Sequence, residues 1–207
     1  MPTTPIKRRI RAETIAAILG LDEAARAAQG ARLREIVVAS PSYRAARTVL
    51  LYMKAFPEEV DVVPLIARAL GDGKRVACPR VDRAHHRLIL QEIRDPAVDF
   101  RPGVLNIPEP RPDAPVVEPS EVDWALAPGV AFDAGCNRVG RGAGHYDRLL
   151  PQLRDDVEVW AVAFDPQIRD DLPVEPHDVP LDVVATPTRL FSRRHFASPQ
   201  DTSGAFA

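Results

Sequence analysis

Four short stretches, residues 48–53, 75–78, 122–127 and 157–164, are nearly unbroken apolar runs. A strand with one face in water alternates apolar and polar residues. A strand covered on both faces does not, and that is the habit of parallel sheets with helices packed on each side. Between the first two runs lies a helical stretch that Asp61 is placed to cap and that ends at Gly71 or Gly73. Between the last two lies a helix over about residues 144–150. Strand, helix and strand at this spacing make a βαβ unit with a right-handed crossover. The expectation is an α/β fold: one three-layer α/β/α domain over residues 1–207 with a mainly parallel sheet.

The N-terminal part reads as two helices. The first covers residues 5–19, with Ile6, Ile10, Ala17 and Ile18 as its apolar face and Lys7, Arg8, Arg9 and Arg11 as its charges. The second starts with Asp22 as N-cap, runs to about residue 38 with Leu33, Ile36 and Val37 inward, and stops at Pro41. Residues 94–121 are proline-rich and predict an extended, ordered excursion. His85 and His86 fall in a polar turn and are expected in solvent. Residues 1–4 and 195–207 carry no pattern and are expected to be mobile.

Bulk composition narrows the classes. The 27 basic and 29 acidic residues nearly cancel, which argues against a nucleic-acid or membrane surface. Cys78 and Cys136 are the two cysteines, with no CxxC pair, so a disulfide scaffold or zinc site is not expected. No apolar run reaches membrane-spanning length, and the N-terminus lacks the core of a signal peptide. The expected setting is cytoplasmic.

The third apolar run leads into residues 128–150, PGVAFDAGCNRVGRGAGHYDRLL. Gly140, Gly142 and Gly144 form a comb flanked by Arg138 and Arg141, and Asp147 follows one helical turn later. Glycine lets the backbone approach a ligand and turn its N–H groups onto an anion. Arginine adds a donor fork suited to phosphate, and a carboxylate beside phosphates suits Mg²⁺. The pattern is neither a Walker A loop nor a dinucleotide fingerprint. Glycines at this spacing also suit a plain surface turn; the two arginines and the acid favour anion binding.

The ordered string Pro128-Gly129-Val130-Ala131-Phe132-Asp133, then Asn137-Arg138-Val139-Gly140-Arg141-Gly142-Ala143-Gly144-His145-Tyr146-Asp147-Arg148, resembles the signature of the 5-formyltetrahydrofolate cyclo-ligase family, also called methenyltetrahydrofolate synthetases. Other landmarks fall in the family's order over about residues 5–190: Lys7-x-x-Ile10-Arg11, Glu59-Val60-Asp61, the segment 100–110, Asp165-Pro166-Gln167, and Leu172-Pro173-Val174-Glu175-Pro176-His177-Asp178. Three positions depart from it. Val62 replaces a threonine, Leu105 stands where an aromatic is usual, and His145 replaces a tyrosine.

The resemblance implies a topology like the sugar-phosphate isomerase and CoA-transferase superfamily. It implies ATP-dependent conversion of 5-formyltetrahydrofolate, with or without a polyglutamate tail, to 5,10-methenyltetrahydrofolate, ADP and phosphate. It further implies that Lys7, Arg11, Arg138, Val139, Gly140, Arg141, Gly142, Ala143, Gly144, His145 and Tyr146 hold ATP. Asp147 and Asp178 would hold Mg²⁺. Met53, Glu59, Leu105, Arg141 and His145 would meet the folate, and Arg141 and Tyr146 would act in catalysis. A monomer is expected. Two other readings share these motifs: a paralogue using the ATP site on another carbonyl compound, and a non-catalytic nucleotide-binding module.

Overall fold

The computed structural model describes residues 4–103 and 107–193. The expectations for residues 1–3, Leu105 and the tail 195–207 therefore lie outside the described residues. Thr4 belongs to the fold: its hydroxyl accepts from the Lys7 N–H and caps α1, Pro5–Leu19. The buried face of α1 is Lys7, Ile10, Thr14 and Ile18. Ile6 and Ala17, expected inward, are exposed, and a lysine takes the inward place. Asp22 caps α2, Glu23–Ala39, as expected, by accepting from the Ala25 N–H. Pro41 ends that helix and, because its fixed φ suits a first helical turn, opens the short α3, Pro41–Ala45.

The chain then enters β1, Thr48–Leu50, and passes through α4, Val63–Gly71, to β2, Arg75–Asp82. Val62 is the N-cap of α4; Asp61 helps from one position earlier, accepting from the Val63 N–H at 3.1 Å. A turn that exposes His85 and His86 leads into β3, Arg87–Ile93. The proline-rich excursion holds the hairpin of β4, Phe100–Pro102, with β5, Pro108–Pro110, and then β6, Val116–Val117. β7, Trp124–Leu126, is followed by a hairpin within the glycine stretch, β8, Ala131–Phe132, and β9, Arg138–Val139. α5, His145–Leu149, precedes β10, Glu158–Val162, then β11, Val183–Ala185, and β12, Leu190–Ser192.

The described residues form an eight-stranded sheet in the order β12-β11-β10-β7-β1-β2-β3-β6. The pairs from β11 to β2 are parallel, and antiparallel strands flank them on both edges. Both expected βαβ units are present, β1-α4-β2 and β7-α5-β10, each joining parallel neighbours.

Alternation along the strands sorts side chains into two cores. Val49, Val76, Cys78, Trp124, Leu126, Trp160, Val162 and Val183 meet α2, α3 and α4 through Leu33, Val37, Tyr43, Leu65 and Ile66. The opposite face presents Leu50, Ala77, Ala125, Ala161 and Val184 to Leu149, Leu150 and Leu153. The alanines on this second face let the segment after β7 lie close on the sheet. Among the described residues no helix is long and apolar enough to cross a membrane.

From β1 the chain builds outward to β2 on one side and, later, to β7, β10 and β11 on the other. The carboxyl ends of β1 and β7 therefore bound the point where strand order reverses, the usual ligand crevice of an open α/β sheet.

Ala125 tests the packing of the alanine face, since it is fully buried there. Ala125→Leu should cost about 1–3 kcal/mol by overpacking. Urea denaturation checks this, and an unchanged midpoint would contradict close packing on that face.

Candidate functional site

Three loops leave the carboxyl edge of the parallel strands, after β1, β7 and β10. Gln167, fully inside, ties two of them together. Its amide donates to the carbonyls of Gly129 and Val130, both at 3.1 Å, while its oxygen accepts from the Phe164 N–H at 2.8 Å. The Arg169 N–H also donates to the Phe132 carbonyl at 2.7 Å. At the tip of the hairpin, Asp133 accepts from the backbone and side-chain N–H groups of Asn137, which closes the turn. Cys136 takes φ 61° there, and burial pushes its thiol up to about 11. It stays protonated and is no nucleophile.

α1 lies against this hairpin through Ile10, Ala131 and Val139. Its inward cations reach two places. Arg11 Nε donates to the Gly140 carbonyl at 2.6 Å. Lys7 Nζ donates to Glu175 Oε2 at 2.6 Å and to the two Asp178 carboxylate oxygens at 2.7 and 3.0 Å. The Lys7 side chain is 7% exposed. Burial alone depresses its pKa; the hydrogen bonds that Lys7 donates to Asp178 and Glu175, with the negative charge of both, together outweigh burial and hold the ammonium above its ordinary value.

Residues 140–144 run between two anchored carbonyls. Arg11 holds that of Gly140, and Arg148 Nη2 donates to that of Ala143 at 2.8 Å. Among the described residues the N–H groups of residues 141–144 donate to no protein acceptor. Gly142 has φ 104° and Gly144 φ 65°, conformations that a side chain disfavours. The loop is thus an open array of donors with its carbonyls turned to arginines, the arrangement that suits an anion.

Arg138 sits beneath the loop. Its Nη2 donates to Asp147 at 2.7 Å, its Nη1 to the Pro128 carbonyl at 3.3 Å, and its guanidinium lies 5.8 Å from the Tyr146 ring centroid. The Tyr146 hydroxyl is buried and has no hydrogen-bond partner among the described residues. Burial raises its pKa far above the ordinary tyrosine value, so it remains a proton donor awaiting an acceptor.

Across the crevice, Arg141 stacks its guanidinium 3.4 Å from the Phe56 ring centroid and pairs with buried Glu58. Glu59, expected to face the folate, directs Oε2 to the N–H groups of Ala55 and Phe56 at 2.7 and 3.3 Å. Burial raises its pKa, with those two N–H groups opposing the rise. Met53 is partly buried against the first core. His145 opens α5 and lies 3.3 Å through Nδ1 from Arg148 Nη2. Burial first, and then the Arg148 charge, lower its pKa from 6.5.

Among the described residues the donors that converge closely enough for a metal are Glu175, His177 and Asp178, with ligand atoms all within 4.8 Å of one another. Asp147 lies outside that group and is engaged by Arg138. Glu58 and Glu175 are the two site carboxylates that sequence reasoning passed over. Glu175 stood inside a recognised string, and Glu58 is adjacent to the residue chosen.

Comparison with known proteins agrees with this architecture. The chain is 37% identical over 151 residues to a 5-formyltetrahydrofolate cyclo-ligase of Mycolicibacterium smegmatis, covering 69% of this chain and 75% of that protein. It is 34% identical over 148 residues to the Escherichia coli K12 protein of the same name, covering 70% and 81%. The solution structure of the Aquifex aeolicus 5,10-methenyltetrahydrofolate synthetase superposes with a TM-score of 0.81 at 27% identity, over 96% of this chain and 97% of that one. The model of the 5-formyltetrahydrofolate cyclo-ligase family matches residues 3–187, and the chain belongs to that family.

Proposed function

We infer that this chain is a ligase that converts 5-formyltetrahydrofolate to 5,10-methenyltetrahydrofolate at the expense of ATP. The observation that carries the reading is the meeting of α1 with the glycine loop and the 175–178 turn, through Arg11 to Gly140 and Lys7 to Asp178. Cations, free N–H groups and carboxylates from the two ends of the chain gather beside the crevice where a parallel sheet binds ligands.

The formyl oxygen of the substrate is a poor leaving group. Its attack on the γ-phosphorus of ATP forms a phosphorylated intermediate and expels ADP. N10 then adds to the activated carbon, and phosphate departs as the ring closes. No protein nucleophile is needed, so the chain contributes alignment and charge. Lys7, Arg11 and the N–H groups of residues 141–144 bind the phosphates. Arg141, drawn from its place on Phe56 and Glu58, spans nucleotide and folate. Tyr146 supplies a hydroxyl to the reacting groups. Arg138 acts at one remove by orienting Asp147. Glu59, Met53 and His145 line the folate side.

Asp178 and Asp147 are hard oxygen ligands of the kind Mg²⁺ takes, and Glu175 stands next to Asp178. Mg²⁺, when bound, would neutralise phosphate charge. The site residues fit it in donor chemistry, and each carboxylate is already paired with a cation, Asp178 with Lys7 and Asp147 with Arg138.

Mixing the protein with MgATP and 5-formyltetrahydrofolate tests the reading. Methenyl absorbance should rise with an equal amount of ADP. ATP turnover that ignores folate would instead mark a paralogue with another carbonyl substrate, and binding without turnover a nucleotide-binding module.

The lowered pKa of His145 sets a direction for pH dependence. At neutral pH the ring is neutral and its Nδ1 accepts from Arg148. Protonation breaks that contact and puts a second cation beside Arg148. Folate affinity should therefore be level above about pH 6.5 and weaken as pH falls below it. His145→Tyr should abolish that fall and leave ATP affinity unchanged. Superimposable folate profiles for the two proteins would remove His145 from the folate site.

A further inference from the structure

Asp178 is asked to do two things. It accepts from Lys7 through both carboxylate oxygens, and with Glu175 and His177 it is one of three donors close enough together to hold a metal. A carboxylate drawn onto a divalent cation holds an ammonium less well, because the metal withdraws the same lone pairs and repels the lysine charge. A lysine stem released in this way spreads over many rotamers. Another group must keep Lys7 in place at the moment the nucleotide phosphates arrive.

We propose that Glu175 is the positioning residue that holds Lys7 on the phosphates of ATP while Asp178 is committed to the metal. Glu175 Oε2 makes the shortest of the Lys7 contacts, 2.6 Å. The two acids close one turn reciprocally: the Glu175 N–H donates to Asp178 Oδ2 at 2.8 Å, and the Asp178 N–H donates to the Glu175 carbonyl at 2.9 Å. Movement of Asp178 toward a metal is thereby limited, and Glu175 stays within reach of the ammonium. An ammonium has three protons; Glu175 takes one and the Asp178 carboxylate shares another, which leaves one for a phosphate oxygen. His177 lies 3.6 Å from Glu175 Oε2 and is half exposed, and the Arg11 charge also acts on both acids. This inference rests on the assignment of Lys7 to the ATP phosphates.

Steady-state kinetics with MgATP and 5-formyltetrahydrofolate test it on Glu175→Ala, Lys7→Ala and the double variant. Glu175→Ala should raise KM for ATP about tenfold, the scale of one charge-assisted hydrogen bond. The change should be confined to KM for ATP, with kcat and KM for folate moving little. Glu175→Asp should recover part of the loss. In the Lys7→Ala background the second substitution should add nothing, since its effect passes through the ammonium. If Glu175→Ala is poorly folded by calorimetry, the isosteric Glu175→Gln takes its place with the same expected direction. A raised KM in Lys7→Ala with a wild-type KM in both Glu175 variants overturns the inference and leaves the role of Lys7 standing. An effect of Glu175→Ala that persists without Lys7 also overturns it. A wild-type KM in Lys7→Ala defeats the phosphate assignment itself, and this inference with it.

Discussion

One buried ion pair organises the site: Lys7 of the first helix held by Asp178 near the end of the fold, 171 positions apart in sequence. An ammonium removed from water is tolerated only when it is paired and hydrogen-bonded. Lys7 therefore docks the buried face of α1 where Asp178 and Glu175 are, and nowhere else. With α1 fixed there, Arg11 falls on the Gly140 carbonyl, and Ile10 packs on the hairpin that leads into the glycine loop. The loop is thus shaped by a helix from the other end of the chain. The same pair ties α1 to the 175–178 turn, which its own backbone closes through the Glu175 N–H to Asp178 and the Asp178 N–H to the Glu175 carbonyl.

The sheet supplies the place for this convergence. Reversal of strand order at β1 and β7 leaves the loops that follow them facing one another, and Arg141 with Phe56 and Glu58 joins the two sides. The alanine face beneath lets the segment after β7 lie flat against the strands, so the loop starts from a rigid floor. Gln167 then locks the loops after β7 and β10 through backbone carbonyls, contacts that depend on one buried amide rather than on loop composition.

The parallel core was legible because strands covered on both faces leave unbroken apolar runs, and Asp22 marks its helix start by local chemistry alone. The β8–β9 hairpin was not, because strands of two residues carry no period. Hydropathy puts Ile6 on the inward face of α1, whereas Ile6 is exposed and Lys7 is buried. Hydropathy could not show this, because the partners that make a buried lysine acceptable lie far along the chain. Resemblance could select Lys7 and Asp178 as site residues, but neither spacing nor resemblance could show that they bind each other. Glu58 and Glu59 differ by one position, and only the backbone of the loop after β1 decides which carboxylate meets Arg141. The short reach between Arg138 and Asp147 crosses from a strand to a helix and is likewise a product of tertiary structure.

Asp178 is the node through which α1, the turn and the proposed metal all act. Calorimetric titration of a non-hydrolysable ATP analogue into Asp178→Asn, with and without Mg²⁺, addresses that claim most directly. The account predicts that affinity falls by about tenfold or more, as for loss of a buried charged partner, and that Mg²⁺ no longer strengthens binding. Undiminished, Mg²⁺-dependent binding in a folded Asp178→Asn protein would contradict it.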